Sequence, residues 1–393
     1  MTTEAIVIVA ARRTPIGSFQ GSLASVPAPQ LAATATRAVV TDSRLEGGDI
    51  DRALIGCVLQ AGVGQAPARL AVLAAGLPVS VPTITVNKVC GSGMTTLMLG
   101  HALICSGNAR VVLAGGMESM SNAPYLLPKA RTGYRMGHQE VLDHMYRDGL
   151  QSPYDGNMMG YFAEQTVRRY GFTREVQDAF ATESVRRALA ACGNGSFQAE
   201  IAPVTVAGRG GETVVAQDEE PYRADIARIP KMKPAFAKDG TVTAASSSSI
   251  SDGAAMLLLM GEAEAARRGL APLARIVASA THAHEPEWFT IAPAHAIRAA
   301  LGKAGWRAGD VDLFEINEAF ACVTLGAMQD LDLDPARVNV NGGACALGHP
   351  IGATGARLVV SLAHALRARG VRRGVASLCI GGGEALAMAI EAC

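Results

Sequence analysis

The sequence predicts an α/β protein of stacked layers, assembled from two similar halves with an inserted loop region. Three observations predict it. Short, nearly all-apolar runs alternate with longer helical stretches, as strands do when helices cover both faces of a sheet. Motifs of the first third return in the same order in the last third. Between them lies a stretch of different character, and 393 residues exceed what one core usually holds.

Taken in order, Glu4 to Ala11 reads as a buried strand, "LAATATRAVV" as an alanine-rich helix and "RALIGCVLQAG" as a strand entering a glycine turn. "PARLAVLAAGLP" is a further helix. "VPTITVNKVC" is rich in β-branched residues and therefore strand-like. It ends at Cys90, ahead of "GSGMTTLMLGHALICSG", a helix closed by glycine. "ARVVLAGGMES" is again a strand that finishes in glycines. From about Ser121 to Ser249 the chain turns to methionines, tyrosines and charged stretches such as "DEEPYRADIARIPKMK". Two helices are expected there, "GYFAEQTVRRYG" and "TREVQDAFATESVRRALAAC", the second opened by a threonine N-cap with glutamate in its first turn. This region reads as an excursion whose exposed loops suit ligand binding.

The second half repeats the first. "GDIDRALIG", from Gly48, is echoed by "GDVDLFEIN", from Gly309, each after a helix opened by proline. "ITVNKVCGSGMTTLMLGHAL" pairs with "VNVNGGACALGHPIGATGARLVVSLAHAL", and "ARVVLAGG" with "RRGVASLCIGG". The expected division is residues 1–120 with 249–271 as one α/β half, 121–248 as the insert and 272–393 as the other half. Equivalent strand ends then face a shared interface, where ligands of such sheets bind. Cys90, Asn317, His349 and Cys379 fall at these points.

Composition narrows the partners. Apolar residues make up 49% and charged residues 18%, as in folded globular chains, and 35 basic residues balance 35 acidic ones. No basic tail points to nucleic acid. Eight cysteines lie far apart with no CxxC pair, which speaks for core thiols and one or two reactive ones rather than for zinc or a disulfide framework. The apolar run near the N-terminus precedes its arginines, the wrong order for a signal peptide, and is too short to span a membrane. A cytoplasmic location is expected. "GSG" and "GHPIGATG" lack the spacing and the following acidic residue of a dinucleotide fingerprint, and no GxxxxGK[ST] phosphate loop occurs.

Chemistry-bearing residues remain. Cys90 precedes a helix start, whose unpaired N–H groups and dipole favour an anion, so its thiol pKa is expected to be lowered. It reads as a nucleophile whose own N–H can face an oxyanion, or equally as a buried thiol at an elbow. His349 can take a proton from a cysteine and donate to an oxygen, or can be bonded to loop backbone. Cys379, at the end of what reads as the last strand, can shuttle a proton beside the uncluttered N–H of Gly381. Asn317 can donate or accept, with Glu318 beside it as a cap for the following helix. Two cysteines, a histidine and an asparagine at strand ends suit thioester chemistry better than hydride transfer.

"VNKVCGSG", "GGMESMSNAPY", "NEAFA", "NGGACALGHPIGATGAR" and "CIGGGEALAMAIE" together resemble the thiolase family, in order and over essentially the full length. The resemblance implies a five-layer α-β-α-β-α body with a loop domain inserted in the first half, and a dimer or dimer of dimers. It implies acetyl-CoA C-acetyltransferase activity, joining two acetyl-CoA molecules into acetoacetyl-CoA or reversing that step. Coenzyme A is then substrate and product, with no further cofactor and no metal. By motif, Cys90 is the acylated nucleophile, His349 its activator and Cys379 the acid/base at the α-carbon. Asn317 holds a water that binds, with His349, the second thioester oxygen. The N–H groups of Cys90 and Gly381 form the other oxyanion hole. The glycines around His349 are expected to make room for substrate. Phe236, Ala244 and Ser248 match the pantetheine segment, Arg223 or Arg228 would meet the nucleotide phosphates, and "GQAPAR" looks like a subunit contact.

Three departures bear on substrate. Met158 stands where acetoacetyl-CoA thiolases carry histidine near the acyl end, an apolar and flexible replacement. Ala245 and Ser246 replace a Gly-Asn pair, and Glu384 follows the terminal glycines. Short 3-ketoacyl-CoA thioesters are the expected substrates. The alternatives are a broad-chain degradative 3-ketoacyl-CoA thiolase and a non-catalytic CoA-binding protein of the same fold. A decarboxylating condensing enzyme is disfavoured by the second cysteine.

Overall fold

Strand pairing turns the sequence repeat into two matching sheets. The computed structural model describes residues 4–208 and 210–393. In the first half, β1 (Ile6–Arg13), β2 (Arg52–Gly56), β3 (Thr83–Val86), β4 (Val111–Ser119) and β5 (Ser251–Gly261) pair in the order β1-β5-β4-β2-β3. In the second, β6 (Ala274–Ala283), β7 (Leu313–Ile316), β8 (Arg373–Ile380) and β9 (Glu384–Ala392) follow the same order, β6-β9-β8-β7. An isolated bridge from Phe314 to Val338 stands where β3 stands in the first half. Ile6–Ile8 pair antiparallel with Ala274–Ile276 and join the two sheets.

Helices complete five layers. On the outside of the first sheet lie α1 (Ala28–Ser43) and α2 (Pro67–Ala74), sharing a core with Ile55, Leu113 and Leu258. Between the sheets lie α3 (Ser92–Cys105) and α8 (Ile351–Arg369), where Met94, Leu97, Leu358 and Leu362 meet Leu257 from one sheet and Leu378 and Met388 from the other. Outside the second sheet lie α6 (Ala292–Ala304) and α7 (Ala321–Leu331), packed on Ile316 and Val375. A helix covered from both sides should lose its polar face, and every residue from Ile351 to Ala363 is buried. Each large apolar side chain placed in this middle layer contributes about 1.5–3 kcal/mol.

The duplication persists in its small features. Asp51 accepts from the N–H groups of Arg110 and Val111 at 2.7 and 3.0 Å, and Asp312 accepts from those of Arg372 and Arg373 at 3.0 and 2.8 Å. In both halves a carboxylate thus pins the start of the equivalent strand by charge-assisted bonds.

The insert carries α4 (Met159–Tyr170), α5 (Arg174–Gly193) and a hairpin of Val204–Gly208 with Gly211–Val215. Thr173 caps α5 as its sequence predicts, accepting from Val176 N at 3.3 Å. Buried Arg13 of β1 pairs with Glu200 and Asp218 of the insert, both at 2.6 Å, and so anchors it to the first sheet.

Two sequence expectations need correction. "VPTITVNKVC" is extended only through Val86, and the rest is a turn. The strand carrying Cys379 is not the last: Gly382 (φ 100°) and Gly383 (φ 91°) reverse the chain, and β9 returns with Ile380 opposite Glu384. The apolar run after the glycines was the available signal, and a glycine-rich reversal between two such runs marks a hairpin.

Candidate active site

The elbow before α3 presents Cys90. Val89 sits at φ 47°, a conformation that β-branched residues rarely adopt, and local bonds hold it there. Its N–H donates to Asn87 Oδ1 at 3.0 Å, while Ser92 Oγ accepts from Lys88 N at 2.8 Å and donates to Val89 O at 2.7 Å. Gly91 then lets α3 close onto β8 and β9, since a Cβ there would overlap Ile380. From the other half come His349, just before α8, and Cys379, on β8. Cys90, His349, Cys379 and Gly381 line one cavity of ≈ 220 Å³. Phe236, Phe289, Phe320 and Ile351 supply apolar walls, with Met158 at the start of α4 and Ser248 beside them.

Burial sets the protonation states. The Cys90 thiol is pushed up to about 11 by burial, against which the Gly381 N–H works. The expected lowering by the helix start is therefore corrected: desolvation outweighs it. Cys379 is raised well above the ordinary thiol range by burial and then by nearness to Cys90. Both rest as thiols. Burial drives His349 the other way, down to about 3, with Arg357 adding to the effect. The imidazole therefore rests neutral until it takes a proton from a neighbouring group.

Its tautomer follows from its neighbours. Thr354 donates its hydroxyl hydrogen to Pro350 O at 3.0 Å, so Thr354 Oγ1 accepts from His349 Nδ1–H at 2.6 Å. His349 Nε2 is left with its lone pair and no bonding partner among the described residues. A general base needs such an atom. Asn317 follows β7, its N–H donating to Ser377 O at 2.9 Å, two residues before Cys379 on the adjacent strand. It is fully buried and does not line the cavity, and neither of its amide atoms has a partner among the described residues. Each such group costs about 1–3 kcal/mol, a cost that proteins carry at functional positions.

Other expectations meet different outcomes. Gly352 and Gly355 make no room for substrate. A Cβ on the first would lie 2.6 Å from Met117 O and on the second 2.5 Å from Met94 N, so they let α8 approach β4 and α3. Of the stretch from Asn341 to Gly355, only His349 and Ile351 reach the cavity. Glu318 does not cap α7. It accepts from Ser184 Oγ at 2.7 Å, Asn339 Nδ2 at 2.8 Å and Cys345 N at 3.0 Å, and so holds the loop leading to His349. Ser248 donates from N and Oγ to Ala319 O at 3.0 and 3.1 Å. Ser246 is buried and accepts from Thr243 N at 2.8 Å in a tight turn. Ala244 is exposed and does not line the cavity. Arg223 pairs with Glu219 at 3.2 Å on the surface, and Arg228 is exposed; neither is brought to the cavity.

Sequence reasoning missed two groups. Glu118, at the end of β4, accepts from Val58 N and Leu59 N, both at 3.1 Å, and from Gly352 N at 2.9 Å. It ties the first turn of α8, and with it His349, to the first half. Burial raises its carboxyl to about 7. A glutamate ending an all-apolar strand was the signal. The second is an ion pair between Lys88 and Glu384, each side chain only about a third exposed or less. It links the elbow before Cys90 to the turn after Gly381.

A buried thiol beside a neutral imidazole base, with a second thiol in the same apolar cavity, defines a site for cysteine-dependent acyl transfer. Residues 6–263 match the thiolase N-terminal domain and residues 270–392 the thiolase C-terminal domain, and the chain belongs to the thiolase family. It is 50% identical over 387 residues to an acetyl-CoA acetyltransferase of Pseudomonas aeruginosa, covering 98% of each chain. It is 46% identical over 388 residues to a probable acetyl-CoA acyltransferase of Staphylococcus aureus, again covering 98% of each. The crystal structure of the Bacillus anthracis acetyl-CoA acetyltransferase superposes with a TM-score of 0.97 at 44% identity, covering 99% of each chain.

Proposed function

We propose that the chain is an acetyl-CoA C-acetyltransferase, running the reversible condensation of two acetyl-CoA into acetoacetyl-CoA and coenzyme A. The observation that carries this reading is the convergence of Cys90, His349 and Cys379 on one cavity, with Nε2 of the imidazole left without a partner among the described residues. His349 Nε2 takes the Cys90 proton, and the thiolate attacks the thioester carbonyl. The oxyanion is held by the N–H groups of Cys90 and Gly381. The carbon–sulfur bond to coenzyme A breaks, and the departing thiolate takes the Cys379 proton. Cys379, now a strongly basic thiolate beside an imidazolium, removes the α-proton of the second acetyl-CoA. The enolate oxygen is held by His349 Nε2–H and by a water on Asn317. Its carbon attacks acetyl-Cys90, and Cys90 recovers its proton from His349. Two thiols are needed because one carries the acetyl group while the other moves a proton.

Mass spectrometry after incubation with acetyl-CoA tests this: an acetyl group on Cys90 with one coenzyme A released is expected, and an unmodified Cys90 sinks the reading. Cys379→Ser should still label but lose α-proton exchange.

A second reading, a broad-chain degradative 3-ketoacyl-CoA thiolase, is favoured by Met158 in the cavity wall. The aromatic walls speak for short acyl chains. Cleavage rates on 3-ketoacyl-CoAs of four to twelve carbons separate the two, and a preference for eight or more rejects the short-chain reading. The coenzyme A tail is proposed to run from Phe236 and Ser248 out toward Ala244, Arg223 and Arg228. A homo-oligomer, a dimer of dimers, is proposed from the exposed Leu70, Leu73 and Ile84 beside "GQAPAR" and the open edge of β3. Light scattering reads it directly. We also propose a cytoplasmic location, since the eight cysteines form no disulfide among the described residues. Among the described residues no helix is long and apolar enough to cross a membrane.

A further inference from the structure

Three of the chain's eight histidines meet far along the sequence from His349. His282 lies near the end of β6, His284 just beyond it, and His295 on α6. One ring nitrogen from each falls within 4.8 Å of the other two, and all three side chains are partly buried. We propose that His282, His284 and His295 form a binding site for a borderline divalent transition metal such as Zn²⁺, Co²⁺ or Ni²⁺.

One of the three rings is held in an orientation that suits a ligand. His284 Nε2–H donates to Trp288 O at 2.8 Å, which fixes the tautomer and leaves Nδ1 with its lone pair. Metal-bound histidines are held by such a bond from the far nitrogen to a carbonyl. The freed His284 Nδ1 lies 3.4 Å from His282 Nε2. For metal–nitrogen bonds of 2.0–2.1 Å the edge of a tetrahedron is about 3.3–3.4 Å, so two corners already stand at ligating separation. The third ring, His295, stacks on His282 with centroids 4.5 Å apart and planes 16° apart. Parallel rings point their lone pairs side by side, so loading requires His295 to turn its ring. Its partial exposure permits that.

Imidazole ligands suit zinc, cobalt, nickel and copper and discriminate against magnesium and calcium, which take oxygen. Three nitrogens leave at least one position open to water. The location gives the metal something to hold. His284 N donates to Gly383 O at 2.9 Å, and the turn from Pro286 to Ile291 places Phe289 in the cavity wall. A bound ion ties the end of β6, this turn and α6 together behind the glycine turn that bears Gly381. The inference does not rest on the acyl-transfer reading, and its test does not use activity.

Free thiols compete for the same metals, so the probe must report ligand type. Titrating the full-length protein with Co²⁺ and following its visible absorption does so. One ion per chain is expected, with imidazole-type ligand-field bands and no thiolate charge-transfer band, and with a rise in melting temperature. His295→Gln and His282→Gln should each weaken binding by at least ~10-fold while leaving the metal-free melting temperature unchanged. His284→Gln also loses the Trp288 bond and serves only as a third check. Thiolate bands, less than half an equivalent bound, or unchanged affinity in both the His295 and His282 variants each overturn the proposal.

Discussion

The two central helices begin in equivalent places of the duplicated frame and are introduced by different turns. α3 follows a short elbow, strained at Val89, that delivers a thiol. α8 follows a longer passage, from Asn341 to Pro350, that contains a helical turn at Ala344–Leu347 and delivers an imidazole. The frame is common: Gly93 and Gly355 let the helices touch backbone to backbone, a Cβ on Gly93 falling 2.8 Å from Ala356 N. What differs is how much chain stands before each helix. A short approach leaves Cys90 no freedom, which suits an atom that must form a bond. The longer one gives His349 its position through Thr354, Ser249 O and the Glu318 bonds around it. Duplication supplied two equivalent corners, and unequal loops made them a nucleophile and its base.

The sharpest break in this comparison is to remove each corner's chemistry in turn. Cys90→Ala should abolish acyl-enzyme formation, lowering turnover on the order of 10⁴–10⁶-fold. Next comes Thr354→Val, which leaves His349 in place but removes the acceptor that fixes its tautomer. A loss in kcat of roughly 10–100-fold with little change in KM is expected. If steady-state kinetics show KM rising and kcat intact, Thr354 serves binding and the tautomer argument fails.

The frame itself predicts opposite signs for one substitution. Gly355→Ala forces a Cβ against Met94 N in the middle layer and should cost about 1–3 kcal/mol or more. Gly302→Ala, on outer helix α6 with nothing within 4 Å, should stabilise by about 0.5–1 kcal/mol. Urea denaturation of both decides it; equal effects would mean the glycines in the repeat are not packing devices.

These pairs also show what the sequence carries. Cys90, His349 and Cys379 were legible because each sits in a local pattern, a chemistry-bearing residue among small ones where the chain turns into a helix or a glycine reversal. The repeat was legible because Asp51 and Asp312 recur in similar strings. Features that join the halves were not. The partner of Lys88 lies 296 positions away and Glu118 meets Gly352 across 234 positions, through the packing of one half on the other. The thiol pKa went wrong for the same reason: the helix start is local, whereas the burial that overrides it comes from α3 packing onto Ile380 and Leu386.

The ion pair between Lys88 and Glu384 ties the Cys90 elbow to the glycine turn after Gly381. Being partly solvated, it should add only ~0–1 kcal/mol to stability. Its expected effect is a few-fold fall in the acylation rate for Glu384→Gln, by loosening Gly381 relative to Cys90. Exchanging both charges, Lys88→Glu with Glu384→Lys, should restore part of that rate. A double variant no better than the worse single one argues that the pair is incidental.

The smallest expected effect is none at all, and it is the most exacting. His349 is active when unprotonated, and burial lowers its pKa to about 3. Acylation of Cys90 should therefore show no inflection from histidine near pH 6.5, and that limb should appear only as pH falls toward 3. Glu118 complicates the same range, since burial raises it to about 7. Its sign is worked out from linkage: with a folded pKa above the unfolded one, near 4.5, its contribution to stability is present at low pH and is lost as pH rises through about 7. Rates of Cys90 acylation between pH 5 and 8, measured for the wild-type chain and for Glu118→Gln, separate the two groups. An inflection that vanishes in the variant belongs to the carboxyl that ties α8 to the first half. An inflection that survives belongs to His349, and would mean that the longer approach leaves its imidazole far more open to water than the elbow leaves Cys90.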